Sequence, residues 1–367
     1  MGASALSRPD RVADVSARRL DIPLRRSFDI AGGSHARVAN VLVTAVLEDG
    51  TRGYGECAPM PAFNGETQDE ALAAVRRGTL GLRGLPVGSS ALWSAAIGAR
   101  TRRCRSALAG IEMALLDAGA RRAGIPLRAL FGGAGDRVTT DVTIPIVPPD
   151  EACRTARRLW RWGIRTLKIK VGRDLTSDLR RIEAAVAGAP RARLILDANA
   201  GYRAPHALEF LARLRRLGIR PALFEQPTAA RDWAGLREVH ARGGVPVAAD
   251  ESASCRADVL RLARTRSVQV VNIKLMKYGV LESLEVARVA RAGGLGLMIG
   301  GLIESRLAMS CAAHLAAGFG GFSFVDLDTP LFLAADPMRG PRILRGGVYD
   351  LSGVRAGIGV TPKDGTR

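Results

Sequence analysis

Charged residues recur at a nearly constant interval through the middle of the chain. Successive members of the series lie 27, 28, 25 and 24 residues apart, and each follows an apolar run: Lys170, Asp197, Glu225, Asp250 and Lys274. An interval of this length holds one strand, one helix and two short loops, which is a repeated βα unit. Parallel strands of a (β/α) barrel all end at the same rim. The spacing therefore predicts an α/β barrel with charged side chains gathered at its mouth.

The same repeat predicts eight parallel strands with helices between them. We expect the strands near residues 139–144, 166–170, 193–197, 221–225, 246–250, 270–274, 296–300 and 322–326. A barrel of about 200 to 250 residues leaves room for a smaller domain in this chain of 367 residues. Alternating and helical patterns before the barrel indicate an α+β domain. We expect that domain over residues 1–135, the barrel over 136–330 and a C-terminal segment over 331–367 that returns to the first domain.

Composition narrows the class of protein. The net charge of +19 comes mainly from scattered arginines, so we expect a solvated surface and no nucleic-acid site. No stretch approaches the roughly 18 uninterrupted apolar residues of a membrane span. The five cysteines form no C-x-x-C pair, which disfavours a disulfide framework or a zinc site. The expected compartment is the cytoplasm.

Three carboxylates end three successive apolar runs. These residues are Asp197, Glu225 and Asp250. Hard oxygen donors with no thiolate or imidazole beside them favour a hard divalent cation, Mg²⁺ first and Mn²⁺ second. The alternative is that each is an ordinary surface carboxylate at a strand end, but three in succession beside lysines favour a site.

Lysines flank these carboxylates. Lys168 and Lys170 are two residues apart on one predicted strand, so both side chains point to the same face. Inside a barrel the two ammonium groups would lower each other's pKa, and one of them could then take a proton at neutral pH. Lys274 approaches the mouth from the opposite side. Taken alone, the pair at 168 and 170 would also fit a solvated sheet edge.

A second acidic pair, Asp326 and Asp328, shares one face at the end of the last predicted strand and would suit an ammonium group. The alternative is a strand-end turn that leads into Pro330. Glu304, just past the seventh strand, is a further candidate to face the site. The first turn of the following helix would equally accept an acidic residue there.

Taken together, these motifs resemble the enolase superfamily, in particular the dipeptide epimerases of its muconate-lactonizing-enzyme subgroup. The motifs are Lys168-x-Lys170, Asp197-Ala-Asn199, Glu225-Gln-Pro227, Asp250-Glu251-Ser252, Asn272-Ile-Lys274-Leu-Met-Lys277 and Asp326-x-Asp328. The resemblance implies a (β/α)7β barrel beneath an N-terminal α+β cap, with a bound magnesium ion. It also implies proton abstraction next to a carboxylate, giving an enolate that the metal stabilises.

The resemblance also implies a role for each site residue. Lys170 and Lys274 would be the acid/base pair, and Lys168 would tune Lys170. The metal ligands would be Asp197, Glu225 and Asp250, supported from behind by Asn199 and Glu251. Asp326 and Asp328 would hold the free α-ammonium of a dipeptide, with Thr143 near the substrate. A small-molecule substrate and a homo-oligomer are expected, and epimerisation of L-Ala-D/L-Glu in the recycling of cell-wall peptides is the commonest such activity.

The cap is where the chain departs from these relatives. Residues 28–34 lack the arginine that relatives carry in this loop, although Arg26, His35 and Arg37 are near. Residues 58–64 are largely apolar, which would suit a hydrophobic dipeptide or mere packing onto the barrel. Other reactions therefore stay open: a muconate cycloisomerase, or an o-succinylbenzoate synthase with N-acylamino-acid racemase activity. A non-catalytic binding protein would be expected to have lost a metal ligand or a lysine, and none is missing.

Overall fold

The computed structural model describes residues 10–30 and 33–363, with side chains outside 27–36. The expectation for the cap loop at 28–34, and for His35, therefore lies outside the described side chains. In the described part of the chain, no helix is long and apolar enough to cross a membrane.

The N-terminal part is a three-stranded antiparallel sheet with helices packed against it. The strands are β1 (Val12–Ile30), β2 (Gly33–Leu47) and β3 (Arg52–Cys57), in that order. The helices are α1 (Pro61–Asn64), α2 (Gln68–Gly78), α3 (Ser90–Arg100), α4 (Arg105–Arg122) and α5 (Leu127–Leu130). Helix α4 lies directly on β3 because Gly53 and Gly55 have no side chain: an added Cβ would come within 2.2 Å and 2.0 Å of backbone oxygens of α4.

The barrel strands follow the predicted repeat. They are β5 (Val142–Ile144), β6 (Thr166–Lys170), β7 (Arg193–Asp197), β8 (Leu223–Glu225), β9 (Val247–Ala249), β10 (Val270–Lys274), β11 (Gly296–Gly300) and β12 (Phe322–Val325). Each strand pairs in parallel with the next in sequence. The intervening helices are α6 (Pro149–Arg161), α7 (Leu175–Gly188), α8 (Ala204–Arg216), α9 (Trp233–Arg242), α10 (Arg256–Thr265), α11 (Leu275–Tyr278), α12 (Val280–Ala292) and α13 (Arg306–Phe319). The predicted (β/α)7β order with an N-terminal cap is confirmed.

The first barrel strand is shorter than the sequence predicts. Residues Arg137–Thr139 form a separate strand, β4, which pairs antiparallel with β14 (Val348–Asp350) near the C-terminus. The parallel barrel strand begins only at Val142. A local apolar pattern does not reveal this division, because the partner of β4 lies about two hundred residues away in the sequence.

Strands β5 and β12 meet at a seam that closes the barrel. The backbone N–H of Asp141 donates to the carbonyl oxygen of Val325 at 2.8 Å. The Leu327 N–H donates to Thr140 Oγ1 at 2.7 Å, and the Thr143 N–H donates to Asp328 Oδ2 at 2.5 Å. The seam is thus held by a short series of bonds, two of which end on side chains.

Apolar side chains fill the barrel below the charged mouth. The interior cluster comprises Ile195, Leu223, Ala248, Val270, Met298 and Phe324, all buried. Ile195 and Leu223 stand two residues before Asp197 and Glu225, so they share the inward face of their strands. The polar groups at the mouth therefore rest on an apolar floor that excludes water from beneath them.

The C-terminal segment returns to the cap. After the short 3₁₀ turn Thr329–Leu331 it forms β13 (Met338–Arg339), β14 and β15 (Thr361–Pro362). The backbone of Gly357 accepts from Leu127 N and donates to Ile125 O. These bonds connect the C-terminal segment with the end of α4 and the start of α5, and the division at residues 135 and 330 stays a prediction.

Candidate active site

Lys168 lies at the centre of the barrel mouth. Its side chain is 1% exposed, and its Nζ lies 3.0 Å from Asp197 Oδ2, 2.7 Å from Glu225 Oε2 and 2.6 Å from Asp326 Oδ2. Only the contact with Asp326 has hydrogen-bond geometry, so the other two are ion pairs. Lys168 therefore joins two acidic sets, one on β7 and β8 and one after β12.

Lys170 and Lys274 approach the mouth from opposite sides. They end β6 and β10, which are four strands apart in an eight-stranded barrel and therefore face each other across it. Lys170 Nζ donates to Asp197 Oδ2 at 2.6 Å and to Asn199 Oδ1 at 3.0 Å. Lys274 Nζ donates to Asp250 Oδ2 at 2.6 Å and stands 4.5 Å from the centre of the Phe63 ring. Each opposed lysine thus already has a carboxylate partner.

The expectation that crowding lowers the lysine pKa values is wrong for Lys168. Burial alone would lower the pKa of Lys168, but the negative charges of Asp197, Asp326 and Glu225 outweigh it and raise that pKa well above its usual value. The pKa of Lys274 is raised in the same way, chiefly by Asp250 against the effect of burial. The carboxylates therefore decide the direction, because they outnumber the ammonium groups around each lysine.

The carboxylates respond to the same charges. Burial raises the pKa of Glu225 to about 7, with Asp197 adding to the effect. Burial also raises the pKa of Glu251 to about 8. Although burial works in the opposite direction, Lys274 and Lys277 lower the pKa of Asp250 to about 2. Lys168 and Lys170 likewise lower the pKa of Asp197.

Two acidic sets could hold a cation. The predicted set, Asp197, Glu225 and Asp250, stands at the ends of three neighbouring strands, and all three side chains are buried. Its donors are hard oxygens, and Glu225 Oε2 receives no hydrogen bond although it is buried. In the second set, carboxylate oxygens of Asp141, Asp326 and Asp328 lie within 4.8 Å of one another. The chemistry of both donor sets fits a cation, and Lys168 stands between them.

The remaining predicted residues fall at different distances from the mouth. Thr143 is buried and lines the cavity at the mouth, and its N–H holds Asp328. Asn199, in a left-handed conformation with φ 41°, donates from its N–H to Asp197 Oδ1 at 2.9 Å and from Nδ2 to Glu251 Oε1 at 3.4 Å. Glu304 lies outside the cavity lining: its Oε1 accepts from Leu302 N at 2.7 Å, and burial raises its pKa to about 8.

Three polar residues around the acidic sets were given no role by the sequence analysis. Lys277 Nζ donates to Asp250 Oδ1, Asp250 O and Asn272 O, at 2.8, 2.9 and 2.6 Å. Asn272 Nδ2 donates to Glu225 Oε1 at 2.7 Å. Asp141 belongs to the second acidic set. Asn272 and Asp141 each stand two residues before a predicted site residue, so strand alternation was a usable signal for both.

The cavity at the mouth is small, about 50 Å³, and is covered by the cap. Met60 and Phe63 come from the cap, and Leu302 and Ile303 come from the loop after β11. The other lining residues are Thr143, Lys168, Lys170, Asn199, Lys274, Gly301, Asp326, Asp328 and Thr329. The arrangement can place a small molecule between two lysines, with carboxylates below it and apolar side chains above it.

Comparison with known proteins identifies the family of this chain. Residues 151–366 match the enolase C-terminal domain-like family, and residues 13–132 match the mandelate racemase/muconate lactonizing enzyme N-terminal domain. An aromatic dipeptide epimerase from Herpetosiphon aurantiacus is 45% identical over 353 residues, covering 96% of this chain and 99% of that protein. An L-Ala-D/L-Glu epimerase from Thermotoga maritima is 36% identical over 339 residues, covering 92% and 97%.

A solved structure shares the whole fold. The dipeptide epimerase from Enterococcus faecalis V583, complexed with Mg and the dipeptide L-Leu-L-Tyr, superposes with a TM-score of 0.92 at 30% identity. The match covers 96% of this chain and 99% of that one. The matches extend through cap and barrel, so the resemblance inferred from the motifs is confirmed. The chain belongs to the mandelate racemase/muconate lactonizing enzyme family of the enolase superfamily.

Proposed function

We propose that the protein is a dipeptide epimerase, an isomerase that inverts the α-carbon of the C-terminal residue of a dipeptide. The observation that carries the proposal is the arrangement of charge around one cavity. Lys170 and Lys274 face each other across it, and Asp326 and Asp328 form an acidic wall on another side. The relatives named above are epimerases of dipeptides, which supports the same reaction class here.

The two opposed lysines move the proton. In this proposal one lysine, uncharged, takes the α-proton from one face of the substrate, and the other, protonated, gives a proton to the opposite face. Asp326 and Asp328 bind the free α-ammonium, and the Thr143 N–H fixes Asp328 in place at 2.5 Å. Lys168 keeps its proton, because the surrounding carboxylates raise its pKa, and it neutralises part of their charge.

We assign the metal to the carboxylates of Asp197, Glu225 and Asp250, with Mg²⁺ preferred and Mn²⁺ as the alternative. When bound, the cation supplies positive charge beside the substrate carboxylate, which stabilises the negative charge that develops when the α-proton leaves. Asn199 supports Asp197 through its backbone N–H and connects it to Glu251. The lysines would then face fewer uncompensated carboxylates than they do alone.

An apolar C-terminal side chain suits the cavity best. Met60, Phe63, Leu302 and Ile303 line it from above, and among the described lining residues the cations are the three lysines. A glutamate side chain would bring a charge against this apolar cover, which costs free energy unless a partner is present. We therefore place a hydrophobic or aromatic dipeptide before L-Ala-D/L-Glu. An aromatic dipeptide epimerase and the L-Leu-L-Tyr complex among the relatives support this order.

The acidic pair separates this function from its alternatives. Substrates of a muconate cycloisomerase, an o-succinylbenzoate synthase or an N-acylamino-acid racemase carry no free ammonium for Asp326 and Asp328 to bind. The double variant Asp326→Asn, Asp328→Asn is therefore expected to lose dipeptide turnover. If the pair does not bind an ammonium group, the double variant should keep the wild-type activity.

The test is deuterium incorporation. The protein is incubated in D2O with pools of L,L-dipeptides, and mass spectrometry scores one deuterium gained per molecule. We expect exchange with Mg²⁺, loss after EDTA treatment, and recovery with added Mg²⁺ or, to a different degree, Mn²⁺. Lys170→Ala and Lys274→Ala should each abolish epimerisation, whereas Lys363→Ala, on the exposed C-terminal segment, should leave it unchanged.

The pools also decide the substrate. Exchange confined to dipeptides with apolar C-terminal residues would support a hydrophobic dipeptide as the substrate. Exchange confined to dipeptides with C-terminal glutamate would favour L-Ala-D/L-Glu instead. No exchange in any pool would refute the dipeptide proposal and move the search to muconates and N-acylamino acids. Self-association into a homo-oligomer stays a prediction that light scattering can test.

A further inference from the structure

Asp141 is a buried carboxyl group for which the mechanism above has no use. Its residue is 2% exposed, and neither side-chain oxygen receives a hydrogen bond. It lines a cavity of about 530 Å³ at the opposite end of the barrel, together with Arg137 and Arg193. Its backbone is fixed by the bond from its N–H to Val325 O at the seam. The residue is therefore held by its backbone between that cavity and the acidic pair.

The carboxyl groups nearest to Asp141 are those of the acidic pair. Carboxylate oxygens of Asp141, Asp326 and Asp328 all lie within 4.8 Å of one another. Asp326 has a donor, Lys168 Nζ at 2.6 Å, and Asp328 has a donor, Thr143 N at 2.5 Å. Asp141 has none. Buried carboxyl groups this close cannot all ionise, and a proton resides on the one whose negative charge is least stabilised.

We propose that Asp141 is a positioning residue for amine recognition: it holds a proton and donates it to Asp326 in a hydrogen bond. That bond limits the rotation of the Asp326 carboxylate, while Asp326 Oδ2 stays on Lys168. The remaining acceptor capacity of Asp326 then points in a fixed direction for the α-ammonium of the dipeptide. The inference rests on the proposed epimerase function and extends it to a residue that does not line the mouth.

Charge balance agrees with a neutral Asp141. When a dipeptide is bound, Lys168 and the α-ammonium bring two positive charges to the three carboxyl groups of Asp141, Asp326 and Asp328. A third negative charge at this depth would have no partner, which is costly in a buried site. Burial, with the charges of Asp326 and Asp328 adding to it, raises the pKa of Asp141 well above its usual value.

Two substitutions at position 141 test the role. Asp141→Asn keeps a neutral hydrogen-bond donor, whereas Asp141→Ala removes it. In the deuterium-exchange assay we expect Asp141→Asn to keep KM within about threefold of the wild-type value. Asp141→Ala should raise KM for dipeptides by about 10- to 100-fold, the effect of one hydrogen bond to a charged group, with a much smaller change in kcat.

The pattern of variants separates the possible roles. If Asp141→Asn is as impaired in KM as Asp141→Ala, the residue acts as an anion and the proposal is wrong. If Asp141→Ala changes thermal stability alone and leaves KM unchanged, the residue is only structural and the proposal is also wrong. If the wild-type protein exchanges no dipeptide, the proposed epimerase function is wrong, and the role of Asp141 in amine recognition fails with it. If only the comparison of the variants fails, the role of Asp141 is wrong and the epimerase function stands.

A spectroscopic measurement needs neither substrate nor the alanine variant. Infrared difference spectra of wild-type protein minus Asp141→Asn at pH 7 should show the carbonyl stretch of a protonated carboxylic acid, shifted when the solvent is D2O. A matched difference spectrum with Asp350→Asn, a partly exposed, ion-paired carboxylate, should show only carboxylate bands. Absence of the protonated band in the Asp141 spectrum would refute the proposal even if Asp141→Ala does not fold.

Discussion

Replacing Lys277 with methionine should destabilise the fold strongly, although no reaction step requires this lysine. Lys277 is 8% exposed, and its ammonium group donates to three oxygens, at 2.6, 2.8 and 2.9 Å. Methionine keeps most of the side-chain volume. It leaves the Asp250 and Asn272 carbonyl oxygens and one Asp250 carboxylate oxygen buried without this donor.

The expected decrease in the free energy of unfolding is that for the loss of one partner in a buried ion pair, about 3 to 5 kcal/mol. Burial lowers the pKa of Lys277, so confining its charge already costs free energy. We therefore expect the lower end of the range, about 3 kcal/mol. With a urea dependence of about 3 kcal/mol per molar for a chain of this size, the unfolding midpoint should fall by roughly 1 M.

The assay is urea unfolding followed by circular dichroism, with Lys363→Met as the matched control. Lys363 is exposed, and its Nζ donates to the carbonyl oxygen of Asp336 at 2.7 Å. The control should shift the midpoint by less than about 0.3 M, because an exposed hydrogen bond contributes about 1 kcal/mol or less. Equal shifts in the two variants would refute the argument that burial and multiple bonding make Lys277 structurally important.

Three further predictions concern other parts of the fold. Burial lowers the pKa of His314 to about 4 from 6.5 in the unfolded chain, so the unfolded state binds more protons as the pH falls. The free energy of unfolding should therefore decrease by about 3 kcal/mol between pH 6.5 and 4. His314→Asn should reduce this dependence on pH in denaturation experiments, whereas His206→Asn, at an exposed site, should not. Gly172→Ala should lower the thermal unfolding midpoint and the rate of deuterium exchange into the dipeptide, because φ is +103° and the new Cβ would lie 2.4 Å from Ala198 O. A loss of less than about 1 kcal/mol in the free energy of unfolding would contradict this. A thiol reagent should label two cysteines in the native protein and five in urea, since three are buried with raised pKa values, and rapid native labelling of more than two would count against the fold. The two partly exposed cysteines are Cys153 and Cys255, and the buried ones are Cys57, Cys104 and Cys311.

The repeat in the sequence predicted the barrel well because the burial of each strand determines both the sequence pattern and the fold. Each apolar run fills a strand, and the charged residue that ends it must reach the open rim. The strand at 166–170 and the strand at 193–197 were predicted with the bounds that the structure has. The first strand was predicted too long, because residues 137–139 pair with residues 348–350, and a contact so distant in sequence leaves no local pattern.

The chemistry of the site was harder to predict than its location. The direction of the Lys168 pKa shift was wrong because adjacent lysines are visible in the sequence, whereas the three carboxylates around Lys168 come together only in the fold. Lys277 was missed for a related reason. It lies on the short helix α11, directly after β10, and its three acceptors belong to positions 250 and 272, which come together only in the fold.

The seam has a consequence for how such an enzyme can acquire new substrates. Asp328 both faces the proposed amine site and accepts the Thr143 N–H that helps to close the barrel. A substitution there that adapts the protein to a substrate without an amine would also weaken closure, so it carries a stability cost from the first step. In the described part of the chain, the backbone hydrogen bonds of Met60 and Phe63 lie within the cap, so these two residues can vary without that cost. Selection for new dipeptides is therefore expected to change the cap first and to leave the aspartate pair in place.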